Sequence, residues 1–166
     1  GVSYKDGGTY YEMIENSISK AVYEAKRSDY IILCLGETSY TEKPGDLNDL
    51  KLHDLQIKLA NELSKADKPI ILILNQGRPR LITDIQGLMK GIINIYLPGN
   101  LGGNALADIV SGVVNPSGKL PYTYPAYPNS LIPYYYKPSE VQNNSQGAYN
   151  YVGKINNLYD FGYGLS

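Results

Sequence analysis

Two glutamates, Glu37 and Glu42, lie in one polar loop of the sequence, at residues 36–48. A carboxyl group that a loop holds beside a substrate can donate and accept protons during catalysis. Glu37 directly follows an apolar run and should be held tightly, whereas Glu42 lies farther out, where a loop can reach over a neighbouring domain. Both are therefore candidates for acid–base chemistry, and the alternative is that both are simply solvated loop charges.

Three other charged side chains accompany this loop or the next one. Lys43 and Asp46 flank Glu42, and Asp46 could set the shape of the loop by accepting hydrogen bonds from backbone N–H groups. Direct contact of Asp46 with a substrate is the alternative. Arg78 follows the second apolar run, where it could bind a carboxylate or be an exposed structural arginine.

Other kinds of site find little support in the sequence. His53 is the only histidine, so a histidine metal site is not expected, and the side chain is predicted to lie on a helix surface. Cys34 is the only cysteine, which excludes a disulfide within the chain, and its apolar neighbours predict a buried structural thiol. The turn at residues 99–104 lacks the G-x-G-x-x-G pattern of a nucleotide site. We therefore expect no metal and no cofactor.

The elements that must position the loop glutamates follow from the spacing of apolar residues. Helical spacing occurs at residues 9–27, 52–65 and 104–113, with a short helical stretch at 83–89. Continuous apolar runs predict strands at residues 30–35, 70–74 and 91–97. Fully apolar strands separated by helices predict an α/β fold, mainly a parallel sheet with helices on both faces. Ligands approach such sheets at the carboxyl ends of the strands, which is where the glutamate loop begins.

The last third of the sequence has a different character. Residues 119–124 predict an edge strand, and residues 125–166 form a Tyr/Pro-rich stretch that we expect to be irregular. The chain has seventeen tyrosines, whose rings suit domain interfaces and, as an alternative, sugar-facing surfaces. With 166 residues and a net charge of −1, it fits one domain that nothing steers toward nucleic acid or a membrane. No apolar run is long enough to span a bilayer.

Five short segments, in order and in spacing, resemble the second domain of glycoside hydrolase family 3. They are Gly36-Glu-Thr-Ser-Tyr-Thr-Glu-Lys-Pro-Gly-Asp46, Gly77-Arg-Pro79, Tyr96-Leu-Pro-Gly-Asn-Leu-Gly-Gly-Asn-Ala105, Asn115-Pro-Ser-Gly-Lys-Leu-Pro121 and Tyr159-Asp-Phe-Gly-Tyr-Gly-Leu-Ser166. Any one of these Gly-rich segments would be weak evidence, but five in register cover nearly the whole chain. The resemblance implies an α/β sandwich domain.

The resemblance also implies a division of labour between domains. Enzymes of this family join an N-terminal barrel to this domain and hydrolyse β-linked glucosides or related sugars with retention, as the β-glucosidases do. The nucleophilic Asp belongs to the barrel, so this chain is expected to be an inactive fragment or processed piece, with the start of its own domain missing. Its expected partners are that barrel and a β-glucoside or β-glucan oligosaccharide. The family slightly favours a secreted or periplasmic location.

The resemblance implies a role for Glu42 in particular. In the family branch with the pattern Gly-Glu-x-x-Tyr-Thr-Glu-x-x-Gly-Asp, the second glutamate is the acid/base, and it matches Glu42, with Glu37 as the alternative. Two other hypotheses stay open. The chain could be a non-catalytic sugar-binding or structural module, or a flavodoxin-like nucleotide-binding domain.

Overall fold

The computed structural model describes residues 7–128 and 157–165. These residues form two compact units. We call the first the sheet unit; it comprises the described residues up to Glu37, Leu52–Asn75 and Asp84–Asn94. The second, the loop unit, comprises Thr38–Lys51, Gln76–Thr83 and the described residues from Ile95 onward.

The sheet unit contains a parallel three-stranded sheet, which confirms the predicted α/β class. The strands are β1 (Ile31–Gly36), β2 (Ile70–Asn75) and β3 (Gly91–Asn94), in the order β1-β2-β3. Ile31 is opposite Ile70, and Leu72 is opposite Ile92, so aliphatic side chains meet across both pairings. Buried aliphatic side chains of this kind stabilise a sheet by about 1.5–3 kcal/mol each.

The strand β1 is not buried on both faces, contrary to the prediction. Ile31, Leu33 and Leu35 are buried, whereas Ile32 is 45% exposed and Cys34 is also exposed. The prediction of a buried Cys34 thiol is therefore wrong. Side chains alternate between the two faces of a strand, and Ile32 and Cys34 share the face of β1 that is left uncovered at this edge of the described sheet.

Two helices belong to the sheet unit, α1 (Gly7–Ala25) and α2 (Asp54–Ser64), and they contact each other. Ile18 and Ala25 of α1 are buried, as are Ala60 and Leu63 of α2. Each pair lies at a helical spacing, which is the amphipathic pattern that predicted the two helices. No helix among the described residues is long and apolar enough to cross a membrane.

The loop unit contains the helix α3 (Gly102–Val110) and a short antiparallel pair, β4 (Tyr124–Pro125) and β5 (Asn157–Tyr159). Of the edge strand predicted at residues 119–124, only the last residue lies in a strand. β5 is a short regular element within the stretch predicted to be irregular. Most of that stretch, residues 129–156 and Ser166, lies outside the described residues.

Other boundaries differ from the prediction. The helix expected at residues 104–113 is Gly102–Val110. The helical stretch expected at residues 83–89 is a single 3₁₀ turn, Gln86–Leu88. The third strand ends at Asn94 rather than at residue 97, because Tyr96 has φ 53°. That left-handed conformation is incompatible with an extended strand.

Candidate functional site

Glu42 lies at the start of a 3₁₀ turn, Lys43–Gly45, in the loop unit. The Gly45 N–H donates to the Glu42 carbonyl oxygen at 2.9 Å, and the Asp46 N–H donates to the Lys43 carbonyl oxygen at 3.0 Å. The Glu42 backbone has φ 49° and ψ −145°, and its side chain is exposed. A non-glycine residue in such a conformation costs about 1–3 kcal/mol and persists only where its surroundings hold it.

Arg78 holds this turn from the loop that follows β2. Its guanidinium carbon lies 3.8 Å from the centroid of the Tyr40 ring, and its Nη1 donates a hydrogen bond to the Gly45 carbonyl oxygen. A cation placed over an aromatic face is attracted by about 0.5–2 kcal/mol. One arginine thus contacts the loop on both sides of Glu42.

Two glycines make room for the Tyr40 ring. A β-carbon added at Gly45 would lie 2.8 Å from Tyr40 Cδ2, and one added at Gly77 would lie 2.3 Å from Tyr40 Oη. Both separations are shorter than carbon and oxygen atoms tolerate without a shift of the ring. The ring therefore occupies a slot that only glycine backbones leave open.

The far end of the glutamate loop is fixed by other groups. Arg80 donates from Nη2 to the Lys51 carbonyl oxygen, and the Leu81 N–H donates to the Leu50 carbonyl oxygen at 2.9 Å. Asp49 accepts a hydrogen bond from the Lys51 N–H at 2.9 Å, a side-chain contact that shapes a turn. Residues 49–51, which directly follow the loop, are therefore held in place.

A buried polar pair, Gln76 and Tyr124, supports the loop that follows β2. Gln76 and Tyr124 are 1% and 2% exposed, and Gln76 Nε2 donates to Tyr124 Oη at 2.9 Å. Tyr124 donates its own hydroxyl to the Arg80 carbonyl oxygen at 2.6 Å, and Gln76 Oε1 accepts from the Arg80 N–H at 3.2 Å. Burial raises the pKa of the Tyr124 hydroxyl well above its usual range. The hydroxyl therefore stays protonated and can donate.

Five tyrosines of the loop unit form a row of ring contacts that passes through Tyr124. Successive centroids are 4.9 to 6.4 Å apart along the order Tyr96, Tyr122, Tyr124, Tyr159 and Tyr163. Burial also raises the pKa of Tyr159. Aromatic pairs at such distances contribute about 0.5–1.5 kcal/mol each beyond the area they bury. These five tyrosines therefore pack against one another within the loop unit.

Two of the sequence motifs meet through their backbones. The Leu120 N–H donates to the Tyr163 carbonyl oxygen at 2.9 Å, and the Gly162 N–H donates to the Leu120 carbonyl oxygen at 2.8 Å. Lys119 Nζ donates to the Gly164 carbonyl oxygen at 2.9 Å. The closing segment of the chain is thus paired with the segment that contains Gly118.

Glu37 belongs to the sheet unit and has a different setting. Its N–H donates to the Asn75 carbonyl oxygen at 3.0 Å, and its side chain is half-buried. The preceding Gly36 has φ 150°, and its N–H and carbonyl oxygen both bond to the Gln56 side-chain amide at 2.9 Å. Glu37 is therefore held tightly at the strand end, as predicted.

The other predicted residues have identifiable places. His53 caps α2, where its Nδ1 accepts a hydrogen bond from the Leu55 N–H at 3.2 Å. Asp46 is exposed and closes the 3₁₀ turn with its own N–H. Arg78 is half-buried rather than exposed, and it binds a backbone carbonyl oxygen within its own unit. Within the described residues, no three His, Cys, Asp or Glu side chains are grouped as metal ligands would be.

Tyr40, Asp49 and Gln76 are among the residues of this site that sequence reasoning missed. The sequence offered a reason to consider Tyr40, because it stands in Gly36–Asp46, one of the segments that carry the resemblance. The reason to consider Gln76 was weaker, because a polar residue that follows a buried strand must find hydrogen-bond partners only if it is buried too. Asp49 had no signal beyond its residue type.

Comparison with known proteins identifies the family. The model of the Glycosyl hydrolase family 3 C-terminal domain matches residues 4–166. A lysosomal beta glucosidase from Dictyostelium discoideum is 38% identical over 154 residues, which cover 92% of this chain and 17% of that protein. A beta-xylosidase from Formosa agariphila is 30% identical over 99% of this chain and 23% of its own length.

Solved structures agree with this result. A β-glucosidase from Erythrobacter marinus has a TM-score of 0.74 and 34% identity, with 91% of this chain and 20% of that chain covered. A β-glucosidase from Listeria innocua shares the fold, with a TM-score of 0.77 and 23% identity over 98% of this chain and 23% of that chain. The chain thus spans about a fifth of the length of the relatives it matches. It belongs to glycoside hydrolase family 3, as a C-terminal domain of that family.

Proposed function

We propose that this chain is the C-terminal domain of a retaining β-glucosidase and that Glu42 is the acid/base of an active site shared with an N-terminal barrel domain. A lysosomal beta glucosidase from Dictyostelium discoideum and a periplasmic beta-glucosidase from Salmonella typhimurium are 38% and 32% identical to this chain. The whole chain is then one domain of a larger enzyme, inactive when it is alone.

The observation that carries the proposal is the setting of Glu42. Its carboxyl group is exposed at the tip of a loop, while its backbone is held in a strained conformation by the turn around it. A general acid must reach a substrate and must also be held in place. Glu37 meets the second condition, but it is half-buried at the end of β1.

The chemistry has two steps. In the first, a carboxylate of the barrel attacks the anomeric carbon while the Glu42 carboxylic acid gives its proton to the departing oxygen. In the second, the Glu42 carboxylate takes a proton from water, and that water displaces the barrel carboxylate from the sugar. The two carboxyl groups must then lie about 5–5.5 Å apart across the sugar.

The test compares wild type with Glu42→Ala in the polypeptide that joins this chain to its barrel. The substrates are dinitrophenyl β-glucoside, whose leaving group is acidic, and phenyl β-glucoside, whose leaving group is poor. We expect kcat/KM to fall by about 10²–10⁴-fold for phenyl β-glucoside. For dinitrophenyl β-glucoside it should fall by less than about 10-fold, because that leaving group departs without a proton.

Azide supplies a second readout for the same variant. It attacks the glycosyl-enzyme without losing a proton, so it should restore turnover of dinitrophenyl β-glucoside and yield β-glucosyl azide. The control is Glu37→Gln, for which we expect no difference between the two leaving groups. If Glu37→Gln shows the leaving-group dependence and Glu42→Ala does not, the acid/base is Glu37. If neither variant shows the leaving-group dependence, the chain is a non-catalytic or purely structural module.

A further inference from the structure

We propose that Arg78 is a positioning residue for Glu42 and that it acts through the Tyr40 ring. The inference rests on the proposed role of Glu42 as the acid/base. Tyr40 stands two residues before Glu42 and Gly45 stands three residues after it, and Arg78 contacts both. We call Arg78, Tyr40 and the two glycines beside the ring, Gly45 and Gly77, the arginine clamp.

Arg78 restricts the movement of the loop that bears Glu42. A carboxyl group on an exposed loop can sweep through several ångströms, whereas catalysis requires it to be held to about 0.5 Å. The Arg78 guanidinium fixes the loop at two points, at 3.8 Å from the Tyr40 ring centroid and through a hydrogen bond to the Gly45 carbonyl oxygen. The backbone between those points is short, so Glu42 has little freedom left.

The Glu42 backbone is strained. Glu42 has φ 49° and ψ −145°, a conformation that relaxes unless neighbouring contacts prevent it. The hydrogen bond from the Gly45 N–H to the Glu42 carbonyl oxygen closes the turn at 2.9 Å. Arg78 holds the opposite side of the same glycine through its carbonyl oxygen. Loss of the guanidinium therefore frees the residue that closes the turn.

The Tyr40 ring fits closely between its neighbours. A β-carbon at Gly77 would lie 2.3 Å from Tyr40 Oη, and one at Gly45 would lie 2.8 Å from Tyr40 Cδ2. The ring is thus bounded by two glycine backbones and by the guanidinium. Planar stacking and a directed N–H donor are both properties of arginine, and lysine offers neither in this form.

The experiment measures kcat/KM for the two aryl β-glucosides in the polypeptide that carries the barrel. We expect Arg78→Ala to reduce kcat/KM for phenyl β-glucoside by about 30- to 100-fold, the effect of displacing a reacting group by about 1 Å. The loss for dinitrophenyl β-glucoside should stay below about 5-fold. Tyr40→Leu should behave like Arg78→Ala, whereas Tyr40→Phe keeps the ring and should stay within about 3-fold of wild type.

Two further measurements separate positioning from a general loss of structure. In a Glu42→Ala background, Arg78→Ala should reduce kcat/KM for phenyl β-glucoside by less than about 2-fold further, because it acts through a carboxyl group that is no longer there. Arg27→Ala is the matched control. It removes an arginine that lies 5.7 Å from the Tyr23 ring, outside the arginine clamp, and should leave both substrates unchanged.

The outcomes are distinct. Equal losses on both substrates for Arg78→Ala, or a full further loss in the Glu42→Ala background, would overturn the positioning role even if Glu42→Ala itself behaves as proposed. Failure of Glu42→Ala to depend on the leaving group would instead overturn the proposed function. If Arg78→Ala does not fold, the comparison of Tyr40→Leu with Tyr40→Phe decides, since a near-equal rate for the two variants contradicts the clamp.

Discussion

In the sheet unit, order comes from the burial of aliphatic side chains along a ladder of backbone hydrogen bonds. Leu72, Ile73 and Leu74 of β2 are each no more than 1% exposed, and they face the neighbouring strands in strict register. In the loop unit, directed contacts between side chains and backbone join one segment to another. Arg78, Arg80 and Tyr124 each reach a carbonyl oxygen of another segment.

The difference has a physical basis. Apolar burial is strong but has no direction, so it makes a rigid base without defining where a single carboxyl group lies. Hydrogen bonds and stacking are weaker, at about 0.5–1.5 kcal/mol each, but they depend on angle and distance. The unit that bears Glu42 is therefore built from the interactions that fix geometry.

The first prediction tests the point where the sheet unit passes into the glutamate loop. Gly36 has φ 150°, and a β-carbon there would lie 1.9 Å from the Asn75 carbonyl oxygen. We expect Gly36→Ala to lower the free energy of unfolding by about 3–5 kcal/mol, because backbone rather than a flexible side chain must move. Urea unfolding of the chain, followed by far-UV circular dichroism, measures this change.

Gly87→Ala is the control for that prediction. A β-carbon at Gly87 has no atom within 4 Å. We expect Gly87→Ala to change the free energy of unfolding by no more than about 1 kcal/mol. An increase is expected where alanine restricts the unfolded chain more than glycine does. Equal effects at the two glycines would contradict the close backbone approach at Gly36.

The second prediction tests the directed contacts of the loop unit. Tyr124→Phe keeps the buried ring but removes the hydroxyl that bonds the Arg80 carbonyl oxygen and the Gln76 amide. We expect a loss of about 1–3 kcal/mol at neutral pH, the cost of leaving buried polar groups without that partner. A loss below 0.5 kcal/mol by the same urea assay would show that ring packing alone holds this unit.

The pH dependence of that variant sharpens the test. Burial raises the pKa of Tyr124 in the folded state, whereas an unfolded tyrosine titrates near pH 10. Up to about pH 9 both states keep the proton, so the stability gap between wild type and Tyr124→Phe should be constant. Above about pH 10 only the unfolded state ionises, so the gap should shrink. A gap that widens there would contradict the burial of this hydroxyl.

The third and smallest prediction concerns the surface of the loop unit. Lys119 is exposed, and its Nζ donates to the Gly164 carbonyl oxygen at 2.9 Å. Because water competes for such a contact, Lys119→Ala should change the free energy of unfolding by no more than about 0.5 kcal/mol. A loss as large as that of Tyr124→Phe would mean that exposed and buried contacts matter equally in this unit.

The sequence predicted the sheet unit well because its elements have strong periodic signals. The apolar runs placed β1 and β2 to within one residue at each end. The burial of Cys34 was mispredicted, because a run of apolar residues does not reveal whether a strand is central or at an edge. Edge position depends on strand order, which is a property of the tertiary fold.

The loop unit was predicted by resemblance more than by pattern. Glu42 was singled out from the motif that surrounds it, while Tyr40 in the same motif received no role. The contact between Tyr40 and Arg78 joins residues 38 positions apart, and no local periodicity reports such a pair. The glycines at positions 45 and 77 stand in segments that carry the resemblance, but their close approach to the Tyr40 ring depends on the three-dimensional fold.

The side chain of Gln56 has a consequence for how the sheet meets other polypeptides. Its amide bonds both the N–H and the carbonyl oxygen of Gly36, at 2.9 Å each, in the way that a peptide group of an added strand would. An edge strand otherwise offers such groups as a template for self-association. Gln56 thus blocks strand addition at the end of β1, because an incoming chain would have to displace the Gln56 amide before it could pair with Gly36.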